Sequence, residues 1–91
     1  VMIGSNNYLG LTHDPRVIEA AVEAVTTWGT GCTGSRFLNG NLSLHESLES
    51  KLADFFGYED ALVFASGFMA NQGAIAALAA EGDYIFSDRD N

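Results

Sequence analysis

Cys32 is the only cysteine among 91 residues, so no internal disulfide can form, which fits a reducing compartment. Basic residues are also scarce: four Lys and Arg stand against twelve Asp and Glu, for a net charge of −8. Nucleic acids and anionic membranes are held by basic surface, and this balance argues against either as the main partner. No apolar stretch approaches the ~20 residues needed to span a bilayer. No basic segment precedes an apolar one in the manner of a secretory signal, so a cytoplasmic location is expected. Cys32 has no Cys or His at metal-ligand spacing, and no metal site is expected. The single lysine, Lys51, falls on the polar side of a predicted helix, where glutamates such as Glu49 are its natural partners. A Schiff-base lysine needs a desolvated pocket, which makes Lys51 a poor candidate for one.

What is present is an ordinary globular composition, 47% apolar, in a length that makes one domain at most. The chain begins in an apolar run without an initiator Met and stops just after a predicted strand. It is therefore expected to be a piece of a longer protein. Val1-Met2-Ile3 reads as the end of a strand, followed by the turn-rich Gly4-Ser5-Asn6-Asn7. Asp14-Pro15 is a helix start, with Asp14 as cap and Pro15 in the first turn. Val17, Ile18, Ala21, Val22 and Val25 then recur at helical spacing as far as Gly29. Thr30 to Gly34 reads as an extended loop with unusual backbone angles.

A second helix is predicted over Ser43–Phe56, with Leu44, Leu48, Leu52 and Phe55 on one face. Ser43 with Glu46 forms a capping box, and Gly57 closes the end. Asp60 to Ala65 is a continuous apolar run, consistent with a strand buried on both faces. Gly67 to Ala80 is a third helix, rich in Ala and apolar on most sides. Glu81-Gly82-Asp83 turns the chain into a further strand at Tyr84-Ile85-Phe86. The last three elements predict a right-handed βαβ unit with parallel strands, and so an α/β fold. Such a unit cannot cover its own apolar helix, so much of its core is expected from outside these residues.

Three segments are candidates for chemistry. At Ser66-Gly67-Phe68, Ser66 is a helix cap and Gly67 allows another group close to the backbone. The amides of Gly67 and Phe68 at the positive end of a helix suit a phosphate. An ordinary strand-to-helix turn explains the same tripeptide. The loop Gly29-Thr30-Gly31-Cys32-Thr33-Gly34-Ser35-Arg36 lacks the Gly-Lys-Ser/Thr ending of a nucleotide P-loop. Its glycines and Arg36 suit an anion, although a surface loop is the simpler reading. Ser5-Asn6-Asn7-Tyr8-Leu9-Gly10 reads as a structural turn, or as an Asn amide presented to a substrate carboxylate. His45 reads as a partly buried packing residue and His13 as an exposed residue before a cap.

Taken together and in order, four groups of residues resemble one family. They are Ser5-Asn6-Asn7-Tyr8-Leu9-Gly10-Leu11, the run from Gly29 to Gly40, His45 with Leu48-Glu49, and Ser66-Gly67-Phe68 with Ala70-Asn71. The pattern resembles the α-oxoamine synthases, pyridoxal-phosphate enzymes that include 8-amino-7-oxononanoate synthase, glycine C-acetyltransferase, 5-aminolevulinate synthase and serine palmitoyltransferase. The likeness covers essentially the whole chain. The stretch Ser35-Arg36-Phe37-Leu38-Asn39-Gly40 is closer to the serine palmitoyltransferases than to the aminolevulinate enzymes.

The resemblance implies the N-terminal fragment of a fold-type I, aminotransferase-like large domain with its active site at a homodimer interface. Residues 1–42 would form an N-terminal segment carrying a glycine-rich substrate and interface loop, and 43–91 the start of the cofactor-binding domain. It implies pyridoxal 5′-phosphate as cofactor, bound by Gly67, Phe68 and Ser66, with the backbone amides of Gly67 and Phe68 on its phosphate. It also implies that Asn6 lies near the amino-acid carboxylate, and that Ser35, Phe37 and Leu38 lie near the acyl substrate and neighbouring subunit. The implied reaction condenses an amino acid with an acyl-CoA or other acyl thioester, usually with decarboxylation, to give an α-amino ketone. The family's ring-stacking His is expected directly after Asn91, and its pyridine-nitrogen Asp and Schiff-base Lys far downstream. The 91 residues alone are accordingly expected to be inactive. Two other classes fit the residues without the resemblance: a small βαβ mononucleotide-binding module, and a non-catalytic interaction domain presenting its apolar helix.

Overall fold

A computed structural model describes residues 3–90. The chain divides into two compact units, Val1–Leu42 and Ser43–Asn91. In order, the elements are a short 3-10 turn at Leu11–His13, α1 over Pro15–Trp28, α2 over Ser43–Phe56 and α3 over Gly67–Leu78.

In the first unit, α1 starts because three neighbouring residues cooperate. Asp14 is extended (φ −67°, ψ 124°), and its Oδ1 accepts from the Arg16 amide at 2.9 Å. Pro15 fills the first helical position, where a missing N–H costs nothing. The Arg16 guanidinium turns back onto the same carboxylate, with Nη2 at 2.7 Å from Oδ2. That pairing holds the Asp14 carboxyl below its ordinary value of 3.8. Gly29, at φ 81°, ends the helix while its amide still donates to the Val25 carbonyl. The stripe Val17, Ile18, Val22 and Val25 stays exposed, Val22 at 61%. Before α1, the Asn7 carbonyl accepts from Gly10 N–H at 3.1 Å, and the left-handed residue of that turn is Gly10 (φ 65°), not an asparagine.

In the second unit, α2 ends in a Schellman motif. Gly57, at φ 72°, donates to Asp54 O, and Tyr58 N–H reaches back to Ala53 O at 3.0 Å. Ser43 is the first helical residue, and Glu46 is the acidic residue of the first turn. The buried face is also rotated from the predicted one. Glu49 and Ala53 are buried and His45 and Leu52 half-buried, whereas Leu44, Leu48 and Phe55 are exposed.

The α/β expectation is overturned. No strand is present among the described residues, and the βαβ unit of a fold-type I large domain does not form in this chain. A strand exists only where a second backbone supplies the other half of the hydrogen-bond ladder. Here the Val63 amide, in the middle of the run predicted as a buried strand, donates instead to the Glu49 carboxylate at 2.8 Å. The Ala61 amide is taken by the Asp60 side chain at 2.8 Å. The second predicted strand, Tyr84 to Phe86, is exposed along its length, Phe86 at 94%. Of the strand expected at Val1-Met2-Ile3, the first two residues lie outside the described ones, and Ile3 is an exposed bend.

The third helix stops at Leu78, and the chain then turns as expected. Asp83 N–H donates to Ala80 O, and the Asp83 carboxylate accepts from Ala80 N–H at 2.8 Å. Ala53 is the sole buried apolar side chain among the described residues. Local signals, chiefly caps and helix-ending glycines, therefore specify the helices more visibly than a core does.

Candidate functional site: an open helix start at Ser66–Phe68

The approach to α3 is extended, with Ser66 at φ −155° and ψ 158°. Its hydroxyl oxygen accepts from the Met69 amide at 3.2 Å, and its carbonyl accepts from Ala70 N–H at 3.0 Å. These bonds leave the amides of Gly67 and Phe68, the first two of the helix, without an intrahelical acceptor. No acidic residue occupies the first turn of α3, so nothing there offsets the positive end of the helix dipole. A Cβ placed on Gly67 would meet nothing within 4 Å, so this glycine faces open space. Phe68 is 76% exposed.

Open amides, a first turn without acidic residues and room beside the backbone fit a phosphate group. The pyridoxal-phosphate expectation is therefore compatible with Gly67 and Phe68 as phosphate donors. The Ser66 hydroxyl oxygen accepts as the helix cap, and its O–H remains to donate.

Asn6, Ser35, Phe37 and Leu38 belong to the first unit. The Asn6 carbonyl accepts from Tyr8 N–H at 2.8 Å, and its Oδ1 accepts from the Tyr8 hydroxyl at 3.3 Å. In that arrangement the side-chain oxygen is used and the NH2 end remains to donate. Ser35 acts through its backbone, its carbonyl accepting from Leu38, Asn39 and Gly40 at 3.1, 3.2 and 2.8 Å. The turn so formed leaves Phe37 and Leu38 exposed at 93% and 79%. Arg36 Nε donates to Asn41 Oδ1 at 2.9 Å across the base of the turn. Upstream, Thr33 adopts a left-handed φ of 51°, in keeping with the unusual backbone expected for this loop.

The structure also corrects one pairing and gives Glu49 a backbone partner that the sequence does not reveal. Glu49 does not serve Lys51: its carboxylate is buried and receives the Val63 amide, and Lys51 makes no ion pair among the described residues. Residues two apart on a helix do not face each other, which already disfavoured that pair. The signal for Glu49 was its spacing: with His45 and Ala53 it recurs every fourth residue, and those three define the covered face.

A family model for the aminotransferases of class I and II matches residues 1–91, and the chain belongs to that family. Among curated relatives, a serine palmitoyltransferase of Bacteriovorax stolpii is 58% identical over 91 residues, all of this chain and 22% of that protein. A serine palmitoyltransferase of Bacteroides thetaiotaomicron is 53% identical over 88 residues, 97% of this chain and 22% of the relative. An 8-amino-7-oxononanoate synthase of Mycobacterium sp. (strain JLS) is 54% identical over 88 residues, 97% of this chain and 23% of the relative. Both names belong to the α-oxoamine synthases that the motifs resemble. The chain spans less than a quarter of the length of these relatives. No helix among the described residues is long and apolar enough to cross a membrane.

Proposed function

We propose that the chain is the N-terminal part of a pyridoxal-phosphate-dependent C-acyltransferase. The enzyme would condense an amino acid with an acyl-CoA or another acyl thioester, usually with decarboxylation, to give an α-amino ketone. It would be serine palmitoyltransferase-like or 8-amino-7-oxononanoate synthase-like. The observation that carries this reading is the start of α3: two adjacent amides without intrahelical acceptors, behind a serine whose hydroxyl is already the cap. Family membership and relatives above 50% identity supply the chemical context.

In this reading Gly67 and Phe68 donate their N–H groups to the cofactor phosphate. Ser66 keeps α3 wound so that both amides point the same way. The Asn6 NH2 donates to the amino-acid carboxylate, and Ser35, Phe37 and Leu38 border the acyl group. The cofactor, when bound, supplies the electron sink that stabilises negative charge on the amino-acid α-carbon. The residues here bind and orient, and the proton-moving groups belong to segments beyond these 91 residues. A homodimer and a cytoplasmic location belong to the same proposal and rest on the family.

The test is an assay of the full-length protein with a panel of amino acids against acyl-CoAs of graded chain length. Release of the free thiol together with an amino ketone is expected, with serine and palmitoyl-CoA as the first pair to try. Thiol release that does not depend on the amino acid would contradict the proposal.

A further inference from the structure

Glu49 is a charged side chain with only 9% of its surface exposed, and the proposed chemistry gives it no task. Its Oε1 accepts from the Val63 amide at 2.8 Å, a bond between residues 14 positions apart that ties α2 to the segment leading into α3. Val63 stands three residues before Ser66. Only Phe64 and the bend at Ala65 and Ser66 separate Val63 from the turn, so a displacement of the chain at Val63 reaches the turn within a few residues. On the other side, the Phe64 ring lies against Gly73 of α3, where an added Cβ would stand 2.9 Å from Cε1. The turn at Ser66–Phe68 thus hangs between two anchors: a carboxylate on α2 and a ring seated on a glycine of α3.

We propose that Glu49 is a positioning residue for the phosphate-binding turn: its buried carboxylate fixes the segment that aims the Gly67 and Phe68 amides. The inference rests on the phosphate-site reading of those two amides. What the role requires of residue 49 is an acceptor oxygen at this reach. Glutamine keeps a carbonyl oxygen at the same distance along the side chain. Aspartate is one methylene shorter and withdraws the oxygen by more than a hydrogen bond tolerates. Alanine leaves the Val63 amide without its acceptor.

The experiment uses the full-length protein, stripped of cofactor, and titrates pyridoxal 5′-phosphate into wild type, Glu49→Gln, Glu49→Asp and Glu49→Ala. The readouts are the dissociation constant, the phosphorus NMR shift of the bound phosphate, and amide hydrogen exchange at Gly67 and Phe68 before cofactor is added. Glu49→Gln is expected to stay within about threefold of wild type, and Glu49→Asp to bind about tenfold more weakly, the scale of losing one buried hydrogen bond. In Glu49→Asp the cofactor-free exchange at Gly67 and Phe68 should speed up while the helical circular dichroism is unchanged. If Glu49→Ala fails to fold, the Asp and Gln variants carry the comparison. Wild-type affinity and exchange in folded Glu49→Asp, or equal losses in Gln and Asp, would overturn the positioning role. Failure of the wild-type protein to bind the cofactor would instead overturn the phosphate reading, and the role with it.

Discussion

In the first unit the chain between Gly34 and Gly40 closes on itself, while in the second it opens at Ser66–Phe68. Both turns contain serine and glycine, yet their glycines serve opposite ends. A side chain on Gly34 would overlap the Asn39 side chain, and one on Gly40 would overlap the Gly34 carbonyl. There the space is filled by the protein itself, and three amides already converge on the Ser35 carbonyl. Around Gly67 there is nothing within 4 Å to collide with, and the amides at that helix start have no intrahelical acceptor. A glycine crowded by its own chain is a requirement of folding. One that faces open space beside unsatisfied donors makes room for something the chain does not supply.

That contrast is open to attack at each turn. The largest effect is expected from Gly40→Ala, because the added methyl meets backbone and not a flexible tip. The turn must then open, at a cost of about 2–3 kcal/mol by the usual scale for overpacking. Denaturant unfolding of the full-length protein would measure it, and amide exchange at Leu38 and Gly40 would localise it. A neutral result would mean that the first turn is not self-closed, and the comparison would collapse from that side.

A smaller loss is expected from Ser66→Ala, which removes the bond to the Met69 amide and should cost about 1 kcal/mol, as caps commonly do. Thermal denaturation would report it. If the loss were absent, the Ser66 hydroxyl would have no capping duty.

The smallest effect concerns α1, whose start, unlike that of α3, carries its own negative partner. The Arg16 guanidinium and the Arg16 amide hold the Asp14 carboxyl below 3.8 in the folded chain. A depressed folded pKa means that the cap contributes fully above the unfolded value. The contribution then disappears as pH falls through the folded one. The helix start at Asp14 should thus persist at pH 5 and fray in strong acid, and Asp14→Asn should flatten that pH dependence. The Arg16 amide resonance, followed by NMR through an acid titration, would check both.

The three helices were legible because their boundaries are written in adjacent residues: Asp14-Pro15 and Gly29 for α1, Gly57 for α2, Ser66 for α3. The strands were not. Leu62, Val63 and Phe64 say only that a segment is apolar, and a ladder needs a partner that no local pattern reveals. Within this chain the Val63 amide finds a carboxylate in place of a strand. The face of α2 was misread for a related reason. The predicted face runs through Leu44, Leu48, Leu52 and Phe55, but Glu49 sits inside the covered arc because it has a backbone donor to meet. At the candidate site, the cap and the open amides followed from the rule that helix starts leave donors exposed. The roles of Asn6, Ser35, Phe37 and Leu38 came from family resemblance, since their own surroundings in the first unit are those of turns.

The claim on which the rest depends is that the space beside Gly67 is kept for a phosphate, and Gly67→Ala tests it most directly. Alanine favours a helix start, and this glycine is not in a left-handed conformation. The full-length variant should therefore keep wild-type stability, within about 0.5 kcal/mol as expected for a surface exchange. Its affinity for pyridoxal 5′-phosphate should nonetheless fall by about tenfold or more, since the methyl stands where the phosphate must approach the backbone. Unchanged affinity at unchanged stability would contradict the account.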